Sequence, residues 1–228
     1  MSGLEEKWPK DMLLQDVSPY DKSDPEDIEQ AKAELDRLRS IRRIAVMIYN
    51  SPCFTSKELP TDEQESFVLR HPDLDLQNIL VDDDGNVTSI LDWHETITAP
   101  RCSGYASLPK FLTKEWFPGF TLTDPPHMSW TVDHYRQIYT EAMKLHGGDD
   151  SRYTYKSSMY QAAVAAVTRS GSCIDLVNKV SLQIPCLRLT DLDEFQERLG
   201  RGWPAAEAYL EPKISKLFSP DGPDLDEK

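Results

Sequence analysis

His71-Pro72-Asp73-Leu74-Asp75-Leu76-Gln77-Asn78 carries the pattern H-x-D-x4-N, and Ile90-Leu91-Asp92-Trp93 follows after a turn. This supplies a carboxylate on a tight loop, an amide at the loop's end and a second carboxylate beyond a short apolar ribbon. A ribbon turning at Asp84–Asn86 pairs residues whose numbers sum to about 170, which places Asn78 opposite Asp92. Two hard oxygen donors at the open mouth of one rigid hairpin suit Mg²⁺, which takes one or two carboxylates plus substrate phosphates and keeps its waters. Asp73, on the loop that feeds the ribbon, then faces a hydroxyl brought up to a metal-bound phosphate. A proton acceptor, an in-line nucleophile and cations on the developing charge are what phosphoryl transfer requires. The same residues also fit a plain structural role, with Asp73 and His71 tying a surface loop and Asp92 ending an edge strand.

The elements that must position these side chains are a hairpin and helices. Asn78-Ile79-Leu80-Val81-Asp82 and Val87-Thr88-Ser89-Ile90-Leu91-Asp92-Trp93 alternate as strands around the turn Asp83-Asp84-Gly85-Asn86. Phe67-Val68-Leu69 is a short apolar run. Upstream, Ser23-Asp24-Pro25-Glu26 reads as a helix start, and Leu35, Leu38, Ile41, Ile44 (or Ala45) and Ile48 follow at helical spacing, predicting a helix over 25–49. Arg37, Arg39, Arg42 and Arg43 lie on and around its other face, as a solvated face or as an anion site. Residues 50–65 read as a loop, and 94–128 as a loop with aromatic anchors Tyr105, Phe111, Trp116, Phe117 and Phe120. Helices are expected over 131–146, 153–169, 172–180, Asp191 to Leu199 and Pro204 to Leu210. The expected fold class is α+β, a mostly helical body carrying one small catalytic hairpin.

Composition narrows the classes. With 25 Lys+Arg against 39 Asp+Glu the formal charge is −14, which repels a phosphate backbone, so nucleic acid is not an expected partner. No run of 18 apolar residues offers a membrane span. MSGLEEKWPKD lacks the apolar stretch of a secretory signal. Cys53, Cys102, Cys173 and Cys186 have no CxxC spacing and fit reduced, buried thiols, so the expected location is cytoplasmic.

Phe67-Val68-Leu69-Arg70-His71-Pro72-Asp73-Leu74-Asp75-Leu76-Gln77-Asn78-Ile79-Leu80-Val81-Asp82, with Ile90-Leu91-Asp92-Trp93 and then Pro100-Arg101-Cys102-Ser103-Gly104-Tyr105, resembles the aminoglycoside phosphotransferase/choline kinase family, in particular its fungal branch. The resemblance covers about residues 66–120. It implies the C-terminal lobe of a protein-kinase-like fold over 66–215. Residues 1–65 read as an N-terminal extension with one long helix and a loop, and 216–228 as an acidic, disordered tail. The resemblance implies Asp73 as catalytic base, Asn78 and Asp92 as Mg²⁺ ligands that also bind the cofactor, and His71 as structural support of the loop. The reaction implied is ATP-dependent phosphoryl transfer to a small hydroxylated molecule. Asp75 departs from the His common in the family, and His94 from the acid that commonly follows Asp-Trp.

A kinase also uses a glycine-rich strand-turn-strand over the phosphates and a strand Lys. Gly200-Arg201-Gly202 is the sole GxG and lies far downstream, and no Lys follows Ile44-Ala45-Val46. The nucleotide-covering lobe therefore reads as absent, and weak Mg²⁺ binding with negligible turnover is expected of the chain alone. The alternative is a non-catalytic binding or scaffold module, with a protein partner on the face such a lobe would cover, or a degenerate fragment. A large apolar patch there would favour the binding module.

Overall fold

The computed structural model describes residues 24–55, 67–116, 129–168 and 171–220. The fold is mixed α+β and mostly helical, with two small antiparallel ribbons. No helix among the described residues is long and apolar enough to cross a membrane. Contacts divide the chain into two compact units. One comprises the described parts of Met1–Asn50 and Ala166–Leu217, the other those of Ser51–Ala165 and Phe218–Lys228. The expected boundary at 65/66 falls inside the second unit.

The first unit is helical. Helix α1 (Pro25–Tyr49) begins where the sequence places it: Asp24 accepts from the Glu26 N–H at 2.8 Å and Pro25 fills the first turn. It packs mainly on α5 (Leu192–Gly202), and also on α4 (Ser172–Leu182) and α6 (Pro204–Leu217). Ile41, Ile44, Ala45 and Ile48 form its buried stripe, while α4 to α6 bury Val177, Val180, Leu199, Leu210 and Ile214. Burying each large aliphatic side chain contributes about 1.5–3 kcal/mol. Helix α6 continues through Pro212 to Leu217, past the expected end at Leu210. Leu210, Ile214 and Leu217 are all buried, and that packing outweighs the hydrogen bond Pro212 cannot donate.

On the arginine face of α1, Arg39 and Arg42 are exposed, as a solvated face requires, while Arg37 and Arg43 are half-buried. Arg37 pairs with Glu197 at 3.0 Å, Arg43 pairs with Glu207, and Arg39 pairs with Asp36 at 2.8 Å. Gly200-Arg201-Gly202 is the last turn of α5. A Cβ on Gly200 would overlap the Asp36 backbone carbonyl, so this glycine permits the close crossing of α5 on α1.

In the second unit, β1 (Phe67–Arg70) pairs antiparallel with β4 (Ile97–Pro100), Phe67 facing Pro100 and Arg70 facing Ile97. Strand β4 lies in a stretch the sequence reads as loop. The second ribbon joins β2 (Ile79–Val81) to β3 (Val87–Ile90), as expected. Its turn is closed by Asp82 N–H donating to Asn86 O at 2.9 Å, with Gly85 at φ 86°. The register differs by one from expectation. Ile79 faces Ile90 and Leu80 faces Ser89, and an irregularity follows between Leu80 and Val81.

Two helices complete the unit, α2 (Ser129–His146) and α3 (Ser157–Thr168), the latter up to Ala165. Thr154 Oγ1 donates to Ala106 O and Ser157 Oγ accepts from Leu108 N–H, both at 2.8 Å. These bonds fasten the segment leading to Lys110. Tyr160 and Phe218 are fully buried with ring centroids 6.1 Å apart, and Phe54 packs on both. Phe218 therefore belongs to the core and not to an acidic tail, and residues 221–228 lie outside the described residues. So do Phe117 and Phe120. Cys102 and Cys173 are buried, as the sequence suggests, whereas Cys186 is exposed.

Candidate functional site

The loop after β1 is tied down by its own backbone. Asp75 N–H donates to Asp73 O at 2.8 Å and Asn78 N–H to Asp75 O at 2.9 Å. The Asp75 carboxylate caps the single 3-10 turn Leu76–Asn78 by accepting from Leu76 N–H at 2.8 Å. The residue that departs from the family pattern thus has a local capping job. Buried Asn78 donates through Nδ2 to the Asp73 carbonyl at 2.8 Å and to Asp73 Oδ2 at 3.3 Å. Asp73 and Asn78 are therefore brought together as the spacing implies.

Lys110, which the sequence reading did not single out, completes this corner. Its backbone N–H donates to Leu74 O at 2.8 Å, and its Nζ lies 2.7 Å from Asp73 Oδ1. The Lys110 ammonium, helped by the Asn78 amide, holds the Asp73 carboxyl below its ordinary range. No local sequence signal marks a lysine 37 residues downstream as the partner of this carboxylate.

Leu91 joins loop to ribbon. Its N–H donates to Asn78 O, and its carbonyl accepts from His71 Nε2, each at 2.8 Å. Asn78 thus stands opposite Leu91 and not, as expected, opposite Asp92. Ile79 pairs with Ile90, which shifts the ribbon by one position from the expected register. Asp92 follows at φ 64°, the only positive φ outside glycine among the described residues. The left-handed conformation turns the chain into the 3-10 turn Trp93–Glu95. His71 stacks edge-on against Trp93 at 4.9 Å, and Trp93 Nε1 donates to Ile90 O at 2.7 Å. His71 thus acts on the backbone that presents Asp92. His94 Nδ1 lies against Asp92 Oδ1, so His94 touches the site through that carboxylate.

Asn78 has its nitrogen turned toward Asp73, and no described residue donates to its Oδ1. Asp92 keeps Oδ2 free of described partners. An amide oxygen and a carboxylate are donor types that Mg²⁺ accepts alongside water and phosphate, but Asn78 faces Leu91 and no contact among the described residues joins its side chain to Asp92. No group of three or more His, Cys, Asp or Glu among the described residues is arranged to hold a metal. No family model, curated protein or solved structure matches the chain.

Proposed function

We propose that the second unit is a kinase-like C-terminal lobe of the aminoglycoside phosphotransferase/choline kinase kind. In this reading it directs the γ-phosphoryl group of ATP to a small hydroxylated molecule in the cytoplasm. The observation that carries the reading is the Asp73 carboxylate, held ionised by Lys110 at 2.7 Å and oriented by Asn78. Phosphoryl transfer asks little of its base because the transition state is loose, so an orienting carboxylate of low pKa suits it. Asp73 would accept the substrate hydroxyl proton. Asn78 and Asp92 would hold Mg²⁺, which supplies charge neutralisation to the phosphates. His71 would keep Leu91, and through it Asp92, in place.

Thermal denaturation of the full chain with millimolar Mg·ATP tests this. Binding to the folded state raises Tm by mass action. Wild type should shift and Asp92→Asn should not, while Asp73→Asn, which leaves both proposed metal ligands in place, should shift as wild type does. A Tm indifferent to Mg·ATP, or an undiminished shift in Asp92→Asn, would overturn the assignment.

One observation favours the binding-module reading. Phe67, Leu69, Leu80, Val81, Val87 and Trp93, all on or beside the two ribbons, are each at least 45% exposed. Apolar surface on this scale marks interaction sites. In that reading a protein partner covers the ribbons. A hydrophobic dye should bind the folded chain and be lost from a Leu69→Gln, Val87→Gln double variant of unchanged Tm. Absence of dye binding to wild type would count against it.

A further inference from the structure

Beside the Asp73 loop opens a cavity of about 390 Å³, walled by Leu74, Leu108, Trp93 and Tyr139 among others. Among the described residues its charged lining side chains are Arg70 and Lys110, with no carboxylate. Lys110 is already neutralised by Asp73. Arg70 is not. Its Nη2 donates to Gln161 Oε1 at 2.5 Å, and Gln161 is anchored in turn by Nε2 donating to Leu108 O at 3.2 Å. No carboxylate among the described residues lies within ion-pair distance of it, in a chain with 39 acidic residues. The other half-buried arginines among the described residues, Arg37, Arg43, Arg101 and Arg136, each meet a carboxylate.

A half-buried cation without an anion is costly, and the planar guanidinium offers five N–H donors, of which one is used here. Burial pulls the Arg70 pKa down with no neighbouring acid opposing it. The walls are apolar and aromatic, and the volume falls within the range of small-molecule sites. About 150 Å³ already holds a benzene ring, so a ring and a polar group both fit.

We propose that this cavity binds a small monocarboxylate with an apolar or aromatic body, the carboxylate on Arg70 and the body against the apolar walls. With Lys110 neutralised, the described lining carries one uncompensated positive charge. It therefore selects one negative charge and disfavours polycationic amino sugars. The inference goes beyond phosphoryl transfer and stands whether or not a phosphate moves.

Calorimetric titration of the full chain with phenylacetate, its amide phenylacetamide and the cation phenethylamine tests it. Phenylacetate should bind at millimolar concentration, at least about tenfold tighter than the amide, with the amine weakest. Arg70→Gln should bring acid and amide to equal affinity, while Arg70→Lys keeps part of the preference. Equal binding of acid and amide by wild type, no binding of the acid, or undiminished acid binding by folded Arg70→Gln would each overturn the proposal. If Arg70→Gln does not fold, the wild-type series decides alone.

Discussion

Arg43 in the helical unit and Arg70 in the ribbon unit are both half-buried guanidiniums, in opposite electrostatic situations. Arg43 meets Glu207, and its neighbour Arg37 meets Glu197, so α1 is laced to α5 and α6 by pairs that close on themselves. Arg70 meets an amide in a cavity wall. The apolar side chains divide the same way. Ile44 and Ile48 are buried, while Val81 and Val87 on the second ribbon are more than half exposed. The helical unit pairs its half-buried arginines with its own acids, which is what a stability element does. The ribbon unit leaves a charge, an amide oxygen and an apolar surface available, which is what a binding element does.

The comparison is most easily broken at Gly200. Gly200→Ala puts a methyl group into the Asp36 backbone, which cannot move aside as a side chain would. A loss of about 3 kcal/mol or more is expected, read as a drop in the urea midpoint. A fully tolerated alanine would show that the crossing of α5 on α1 is looser than described.

The arginines sharpen it next. Arg43→Met strands Glu207 and, with both side chains partly exposed, should cost about 0.5–1 kcal/mol. Arg70→Met removes a cation with no anion among the described residues and should stay within about 0.5 kcal/mol of wild type. Equal losses in the two variants would mean Arg70 is as structural as Arg43. In the same measurement Ile44→Val should cost about 0.5–1.5 kcal/mol, and Val87→Ala, on an exposed ribbon, less than about 0.5.

What could be read in advance follows the range of the interactions. Helix α1 was legible because Asp24-Pro25 and the Ile41–Ile48 spacing are local signals, and so was the turn at Gly85. The grouping of Asp73 with Asn78 was legible for the same reason, since both lie on one short loop. Strand β4 was not, because Ile97-Thr98-Ala99-Pro100 carries a proline and pairs with the distant β1. The register was off by one because the backbone conformation of the turn, with its irregularity at Leu80 and Val81, sets the pairing, and residue types do not fix it. Lys110 was invisible because its contact with Asp73 is made in space. The lack of a carboxylate at Arg70 could not be inferred from a chain rich in acids.

The smallest expected effect concerns Asp73 itself. Lys110 and Asn78 hold its carboxyl below the ordinary range, so the folded protein takes up that proton less readily than the unfolded chain. The stabilisation is therefore complete above the unfolded carboxylate value, near 3.9. It drains away as pH falls from there through the lower folded value. The Asp73 and Lys110 side chains are 28% and 41% exposed, so the pair contributes only about 0.2–1 kcal/mol. Urea midpoints of wild type and Asp73→Asn, followed from about pH 6 to about pH 2, should differ at neutral pH and converge at the acid end. A gap that stays constant would mean that Asp73 stabilises by shape alone. A gap that widens on acidification would reverse the sign of the linkage. In either case Lys110 would not be what keeps the carboxylate ionised, and the site would lose the charge arrangement on which its chemistry is built.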